Sequence, residues 1–292
     1  MAVTSFKSKI VKSVLYSTAQ FTARFGLQLV SIVVLARLLS PEIHGVFAIV
    51  LVFTYLLEML SEMGLRSLIL TKEGDVPPEM LQTCWTLQIL RSFIVFGVVL
   101  IIAAVIWALQ TWGVFAADSA YNAPVLPLAL IGVGGSQMIL ALTPTTPYMY
   151  ERSMQFGHVT LTIVLASSIG LAVTIGVAWF FPSVWALVIG TATQRTVTMI
   201  YSFLAFKGVR MRVCWDADTL RLAVDRGKWL WGHSALTAVT NGADRLLVGL
   251  LMDSSTFGFY FIARRIVGFC GDFLNMVDAR MGLQVFRHIL QA

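Results

Sequence analysis

Charged side chains are scarce in this sequence of 292 residues. Only 12% are Asp, Glu, Lys or Arg, against about a quarter in an ordinary soluble domain, and a water-soluble protein of this length needs a charged surface. Cysteine is equally rare, with three residues, so a secreted disulfide scaffold is excluded. Neither the low hydropathy of a disordered chain nor the basic surface of a nucleic-acid-binding domain is present, and no nucleic-acid partner is expected.

Apolar residues are abundant instead. They make up 58% of the chain, and the mean hydropathy is +0.81. A hydrocarbon core of about 30 Å takes roughly 20 helical residues, and eight apolar segments are long enough to cross it. The predicted spans are Val11 to Leu39, Ile43 to Ile69, Glu79 to Leu109, Ala123 to Pro147, Gly157 to Phe181, Val184 to Phe206, Trp229 to Met252 and Thr256 to Met276.

These segments predict an all-α polytopic membrane protein of about eight transmembrane helices. The runs are continuous or helically periodic, unlike the short alternating strands of a membrane barrel, and lipid offers no water to unpaired backbone groups. With the amino terminus in the cytoplasm, the inside segments hold 14 Lys and Arg residues and the outside turns hold none. The positive-inside rule therefore predicts an inner-membrane protein with a cytoplasmic amino terminus.

The chain divides at one polar connection. We expect residues 1–206 to form a six-helix lobe that begins with a cationic amphipathic collar on the membrane surface. A basic cytoplasmic linker over 207–228 then leads to 229–292, the start of a second lobe with two helices. A shift of 213 positions superposes Leu38 on Leu251 and Gly45 on Gly258, which is a weak indication of the internal repeats on which transporters are often built.

Several sequence patches resemble the bacterial polysaccharide exporters, the lipid-linked oligosaccharide flippases of the multidrug/oligosaccharidyl-lipid/polysaccharide superfamily. The evidence is that the patches follow the family's order. They are residues 35–42 (LARLLSPE) with Gly45, residues 62–65 (EMGL), residues 151–156 (ERSMQF), residues 226–230 (RGKWL), residues 244–249 (DRLLVG) and residues 258–260 (GFY).

The resemblance implies a two-lobed transporter with a positively charged central cavity and with Arg24 as the best-matching cavity position. It also implies twelve or fourteen helices, so the chain resembles a C-terminally short relative with a complete first lobe. Expected partners are a polyprenyl-diphosphate-linked glycan, membrane lipids and either a polysaccharide polymerase or a complementing membrane chain. No cofactor is implied.

Ionisable residues inside the predicted spans are the functional signal in the residues themselves, because such a side chain costs at least a few kcal/mol at membrane depth and usually faces a cavity or a partner. Basic residues outnumber acidic ones there, so at least two arginines should lack a carboxylate. The basic set is Arg24, Arg91, Arg195, Arg245, Arg264 and Arg265, and the acidic set is Glu58, Glu62, Asp244 and Asp272.

Two interpretations of these charges stay open. In the structural one, Glu58 pairs with Arg24, and Asp244 pairs with Arg264 or Arg265; Arg245 is a further member of that layer. In the functional one, a cationic cavity binds the diphosphate of the lipid-linked glycan, because the planar guanidinium group suits bidentate phosphate binding. The predicted cavity residues are Arg24, Arg195, Arg264 and Arg265.

Other patterns point to movement rather than catalysis. Pro144 and Pro147 interrupt the fourth span, and there the neighbouring threonine hydroxyls can satisfy the freed carbonyl groups; either a hinge or a simple helix stop is expected. No metal site is predicted, and no nucleophile, base and orienting acid can be assembled, so an enzyme is not expected. The alternatives to flipping are a non-transporting scaffold of a polysaccharide assembly complex and a small-solute antiporter of the same superfamily.

Overall fold

The computed structural model describes residues 22–23, 25–61, 64–153 and 155–268. The helices in this part of the chain are α1 (Phe25–Leu38), α2 (Pro41–Ser61), α3 (Leu65–Thr71), α4 (Pro78–Thr111), α5 (Leu126–Ala141), α6 (Thr146–Arg152), α7 (Phe156–Phe180), α8 (Val184–Ala205), α9 (Ala217–Leu251) and α10 (254–268). A short 3-10 helix, Ala120–Asn122, lies between α4 and α5. The protein is an all-α polytopic membrane protein, as predicted.

Three helices are long and apolar enough to cross a membrane, namely α2 over Pro41–Met59, α4 and α7; α5 and α6 form a fourth crossing if the bent pair counts as one. The predicted bounds of the third, fifth and sixth spans are confirmed to within one or two residues. The first and eighth predicted spans lie partly outside the described residues. Helix α8 coincides with the sixth predicted span but is not among these candidate crossings, and it carries Gln194 and Arg195 among five threonine and serine residues. Helix α9 is more polar still.

The second predicted span is interrupted, and the fourth is interrupted around Pro144, where the prolines indicated a hinge or a helix stop. The second ends at Ser61, and the short helix α3 begins at Leu65 after Gly64, whose φ of 63° lies in the left-handed region that favours glycine. The fourth bends by 66° between α5 and α6. Hydropathy does not reveal the break before α3, whereas Pro144 and Pro147 marked the one between α5 and α6.

The predicted linker over 207–228 is shorter than expected. Helix α9 begins at Ala217, so its first turns stand where a connection was predicted. Asp216 caps this helix: its carboxylate accepts hydrogen bonds from the hydroxyl (2.5 Å) and the amide (2.9 Å) of Thr219. These bonds lower the pKa of the Asp216 carboxyl from its ordinary value. Residues 217–228, the polar first turns of α9, were therefore predicted as a loop although they are helical.

Two apolar clusters hold the bundle together. The larger one joins α1, α2, α4, α5, α7, α8 and α10, and its most buried members include Ile49, Leu126, Leu130 and Phe257, each with 2% exposure or less. The smaller cluster packs α3 and the first turns of α4 against Ala223 of α9. The long helix α9 thus contacts both clusters, through the partly buried Leu246 and Val248 in the first and Ala223 in the second.

The weak sequence repeat corresponds to a structural one. The shift of 213 positions maps the end of α1 at Leu38 onto the end of α9 at Leu251, and the start of α2 onto the start of α10. Helices α2 and α10 cross at Gly45 and Gly258. A Cβ atom on Gly45 would overlap the carbonyl oxygen of Ser254, and one on Gly258 would overlap that of Pro41. The shift maps one contact onto the other, so α2 and α10 contact each other symmetrically at this crossing.

The same end of the bundle, formed by residues 112–125 and 252–254, is closed by backbone contacts. Ser119 and Asp253 form an isolated antiparallel bridge, and the amide of Ser254 donates to the carbonyl of Asp118 at 2.8 Å. We call this the outer end, following the orientation predicted from the sequence. The connection between α4 and α5 therefore holds the turn between α9 and α10 in place.

Candidate functional site

Arg195, in the middle of α8, joins three helices of the first lobe. Its guanidinium group donates to the carbonyl of Val133 at 2.9 Å and to the hydroxyl of Ser136 at 2.5 Å, both on α5. It also lies 3.7 Å from the Glu58 carboxylate on α2. The Arg195 side chain is only 14% exposed. This arginine therefore supports the packing of α2, α5 and α8.

Glu58 contacts Arg195, a partner that the sequence did not suggest. The predicted partner, Arg24, lies outside the described residues, so that pair stays a prediction. Residue spacing gives the depth of Glu58 in the membrane, but it does not give the rotation of each helix about its axis. The contact between Glu58 on α2 and Arg195 on α8 depends on that rotation.

Arg264 forms an ion pair within the second repeat. Its guanidinium group donates to the Asp244 carboxylate at 2.8 Å and to the hydroxyl of Tyr260 at 3.0 Å. This is one of the two pairings that the structural interpretation named. Arg245, one residue after Asp244, lies instead with its guanidinium carbon 5.9 Å from the ring centre of Tyr55 on α2. Its Nε has no hydrogen-bond partner among the described residues.

Among the predicted cavity residues that the structure describes, Arg265 faces a cavity. It lines a polar groove of about 310 Å³, which we call the arginine groove. Within the described part of the chain, Arg265 has no carboxylate partner, and no carboxylate lines the groove. The other lining residues are Leu27, Gln28, Ser31, Leu35, Phe47, Leu51, Ser167, Gly170, Leu171, Thr174, Leu187, Gly190, Thr191 and Gln194.

The groove is built by both repeats. Helices α1, α2, α7 and α8 supply the walls, and Arg265 enters from α10. Hydroxyl and amide side chains make up much of the lining, and they suit a polar ligand that accepts hydrogen bonds. A small adjoining cavity is lined by Arg265 together with His44, whose Nδ1 lies 3.1 Å from the carbonyl of Ser40.

Sequence reasoning missed the polar neighbours of Arg265. Gln28 and Ser31 lie one turn apart on α1, and Thr191 and Gln194 lie one turn apart on α8. Polar residues three positions apart on an otherwise apolar helix share one face, so this spacing was the signal available. The position of His44 in the chain gives no indication that it lines a cavity with Arg265.

A second cavity, of about 390 Å³, lies inside the first lobe between α2, α4, α5, α7 and α8; we call it the lobe cavity. Glu58 and Arg91 line it, together with Gln137 and the predicted hinge residues Pro144 and Pro147. The Nε2 of Gln137 has no hydrogen-bond partner among the described residues.

The break at Pro144 is tied to α4. Gln88 donates to the carbonyls of Ala141 (2.9 Å) and Thr143 (3.3 Å), and the indole of Trp85 donates to that of Leu142 at 3.1 Å. The threonine hydroxyls were expected to satisfy these carbonyls. Instead, the hydroxyl of Thr145 donates to the backbone carbonyl of Leu81 on α4. The hydroxyls of Thr143 and Thr146 have no hydrogen-bond partner among the described residues.

The predicted cavity residues are therefore distributed over different environments. Arg195 and Arg264 each contact an acid, Arg265 lines the arginine groove, and Arg24 lies outside the described residues. The expectation that at least two arginines lack a carboxylate is met by Arg245 and Arg265 within the described part of the chain.

Comparison with known proteins gives an independent view of this architecture. The chain is 20% identical to the lipopolysaccharide biosynthesis protein WzxC of Escherichia coli strain K12 over 286 residues, which cover 98% of this chain and 56% of WzxC. The chain thus spans about half the length of the curated relative that it matches. No solved structure matches it.

A family described as "Polysaccharide biosynthesis protein" matches residues 34–286, which is most of the chain. This match confirms the resemblance seen in the sequence patches, and it includes both helix pairs of the structural repeat except for the first turns of α1. The chain therefore belongs to the polysaccharide biosynthesis protein family.

Proposed function

We propose that the chain moves a lipid-linked oligosaccharide across the inner membrane by alternating access, with the amino terminus on the cytoplasmic side. The arginine groove binds the diphosphate that joins the glycan to its polyprenyl tail. The observation that carries this proposal is Arg265, a guanidinium group without a carboxylate partner among the described residues, in a groove lined by hydroxyl and amide side chains.

The chemistry of the groove supports an anionic ligand. A buried charge needs a partner, and a diphosphate offers oxygens in the planar, bidentate arrangement that a guanidinium group binds best. Gln28 and Gln194 each carry an amide donor for the remaining phosphate oxygens. A cation antiporter would need acids in its binding site, and the described lining of the groove has none.

The position of the groove supports coupling between binding and movement. Arg265 belongs to the second repeat, whereas the other groove residues belong to the first lobe. An anion that binds all of them therefore bridges two units of the molecule. Transport of this kind is non-covalent and needs no catalytic group: the headgroup binds, the units change their relative orientation, and the glycan is released on the far side.

The other predicted cavity residues receive distinct roles in this proposal. Arg24 contributes a second cation to the headgroup site, as the family resemblance implies. Arg195 and Arg264 support the walls of the groove, because their guanidinium groups already contact Glu58 and Asp244. The partners are thus the lipid-linked glycan and the surrounding membrane lipids.

The test is flipping of a fluorescent polyprenyl-diphosphate glycan in proteoliposomes, together with glycan export in cells at equal protein level. Arg265→Ala and Arg24→Ala should abolish flipping, and Arg265→Lys should retain part of it because the charge remains. The matched control is the double variant Arg66→Gln with Glu151→Gln, which removes an exposed guanidinium together with its carboxylate partner away from the arginine groove. It should flip the lipid at nearly the unmodified rate.

Two outcomes count against the proposal. Unchanged flipping by Arg265→Ala would mean that the groove does not bind the headgroup. Absence of flipping by well-folded, unmodified protein, alone or with a complementing membrane chain, would favour the scaffold alternative, in which the chain organises polysaccharide assembly without transporting the glycan.

A further inference from the structure

The connection between α8 and α9, residues 207–216, is an extended segment that we call the strap. Unlike a free loop, it is fixed to the helices beneath it at several points. Gln82 donates to the carbonyl of Arg210 at 2.9 Å, and the amides of Cys214 and Asp216 donate to the hydroxyls of Thr86 and Thr83, both at 3.1 Å. The strap therefore presents its side chains in defined directions.

The side chains of the strap separate into an inner and an outer set. Val209 and Met211 pack against the smaller apolar cluster. Arg210, which lies between them in the chain, and Arg212, which follows, are exposed. This alternation is that of an extended strand. Farther along, the strap also exposes two apolar side chains, Val213 at 70% and Trp215 at 58%. Its outer face is thus basic and hydrophobic together.

The exposed cations of this region have no carboxylate partner within the part of the chain that the structure describes. Lys207, Arg210, Arg212 and Arg221 form no ion pair with the described residues, whereas Lys228 lies 3.5 Å from Asp225 and Arg66 lies 2.8 Å from Glu151. Water solvates the guanidinium groups well, but the exposed indole of Trp215 and isopropyl group of Val213 gain no free energy from facing water. The same set is favourable at the boundary between lipid headgroups and hydrocarbon.

The strap lies at the depth of that boundary. Helix α4 has 34 residues, which at 1.5 Å per residue is about 51 Å, roughly 20 Å longer than the hydrocarbon core. A centred helix leaves about 10 Å, or seven residues, in the headgroup layer at each end. Thr83 is the sixth residue of α4 and Thr86 is the ninth. The strap bonded to them therefore runs along the inner edge of the headgroup layer.

We infer that the strap is a binding site for the phosphate headgroups of anionic phospholipids in the cytoplasmic leaflet. Arg210 and Arg212 bind the phosphate oxygens, and Trp215 and Val213 enter the layer of glycerol and upper acyl chains. The leaflet assignment rests on the orientation proposed above. The site is separate from the arginine groove, and it requires neither a glycan nor a polyprenyl chain.

The site is tested with the full chain in nanodiscs of phosphatidylcholine that contain a graded fraction of phosphatidylglycerol. Lipid retained by the protein is counted by native mass spectrometry. An anionic surface attracts a nearby basic residue by about 1 kcal/mol, or about fivefold in affinity. The double variant Arg210→Gln with Arg212→Gln should therefore lower the preference for phosphatidylglycerol over phosphatidylcholine by about 25-fold.

The matched control is Arg66→Gln with Lys228→Gln, which changes the net charge equally but removes cations that are already paired. It should retain most of the preference. The variant Arg210→Lys with Arg212→Lys should fall between the two, since it keeps the charge and loses the bidentate geometry. Size-exclusion profiles and circular dichroism check that all variants are folded.

The position of the tryptophan gives a second measurement. Phosphatidylglycerol brominated in its upper acyl chain should quench the fluorescence of the unmodified chain more than that of Trp215→Phe. An equal loss of lipid preference in both double glutamine variants would overturn the site in favour of general electrostatic attraction. Absence of any preference in the unmodified chain would overturn it in favour of an acidic protein as the partner of this surface.

Discussion

The contact between Gly45 and Gly258 gives the sharpest prediction about how the two repeats are held together. Either glycine replaced by alanine places a Cβ on a carbonyl oxygen of the facing helix, Ser254 in one case and Pro41 in the other. The same Cβ atoms would lie 3.2–3.4 Å from the amide nitrogen of the opposite glycine. To relieve either overlap, α2 and α10 must separate by roughly 1 Å.

The expected cost follows from two opposing terms. Overpacking of this kind lowers the free energy of unfolding by about 1–3 kcal/mol. Alanine has a higher helix propensity than glycine, which raises the free energy of unfolding by up to about 1 kcal/mol. The control Gly97→Ala isolates the second term, because a Cβ on Gly97 of α4 meets nothing within 4 Å. Gly258→Ala and Gly45→Ala should therefore each lie about 1–3 kcal/mol below Gly97→Ala in the free energy of unfolding.

The double variant distinguishes one shared contact from two separate ones. A single separation of α2 from α10 relieves both overlaps, so the variant with both alanines should lose less stability than the sum of the single variants. Couplings between contacting residues are typically about 0.5–3 kcal/mol. Unfolding by denaturant in detergent micelles measures these differences. Equal stability of Gly258→Ala and Gly97→Ala, or strict additivity of the pair, would refute the close symmetric crossing.

Three further predictions concern hydrogen bonds and charge. A double-mutant cycle of Asp244→Asn and Arg264→Gln, followed by thermal unfolding, should show positive coupling because each single variant leaves a polar group without its partner. Gln88→Leu should lower stability by about 1–3 kcal/mol through the two carbonyls it leaves unpaired, whereas Gln137→Leu should be nearly neutral, since its Nε2 has no partner among the described residues. Hydrogen bonds from Ser255 and from Thr256 hold the pKa of Asp253 well below its usual value. A lowered pKa stabilises the fold above the unfolded value, so the advantage of the unmodified chain over Asp253→Asn in melting temperature should shrink as the pH falls below about 4.

Continuous apolar runs made the long helices predictable. Helices α4, α7 and α8 match the predicted spans closely because their ends coincide with polar or turn-forming residues. Hydropathy predicted neither interruption, although Pro144 and Pro147 indicated the one between α5 and α6. The break at Gly64 depends on one left-handed residue, and the bend between α5 and α6 is stabilised by Gln88, which lies more than fifty positions earlier in the chain.

The candidate site was predictable only as a set of charges at membrane depth. Spacing placed Arg195 and Arg264 inside the bundle, but a sequence does not fix the rotation of each helix. The rotation of each helix about its axis determines which residues meet. Arg195 contacts Glu58 and Arg264 contacts Asp244, whereas the side chain of Arg265 lines the groove beside α1 and α8. Adjacent residues of a helix point about 100° apart, so two neighbouring arginines serve different purposes.

The geometry of α10 connects the repeat contact with the proposed headgroup site. Gly258 and Arg265 are seven residues apart on this helix, which places them about 10 Å apart along its axis. The ion pair between Arg264 and Asp244 links α10 to α9, so these two helices should move together. With the outer end held at Gly45 and Gly258, a small tilt of the pair about that contact changes the distance between Arg265 and the wall formed by α1, α7 and α8. A diphosphate bound between them would favour the closed position, and its release would remove that preference, which is the differential binding that alternating access requires.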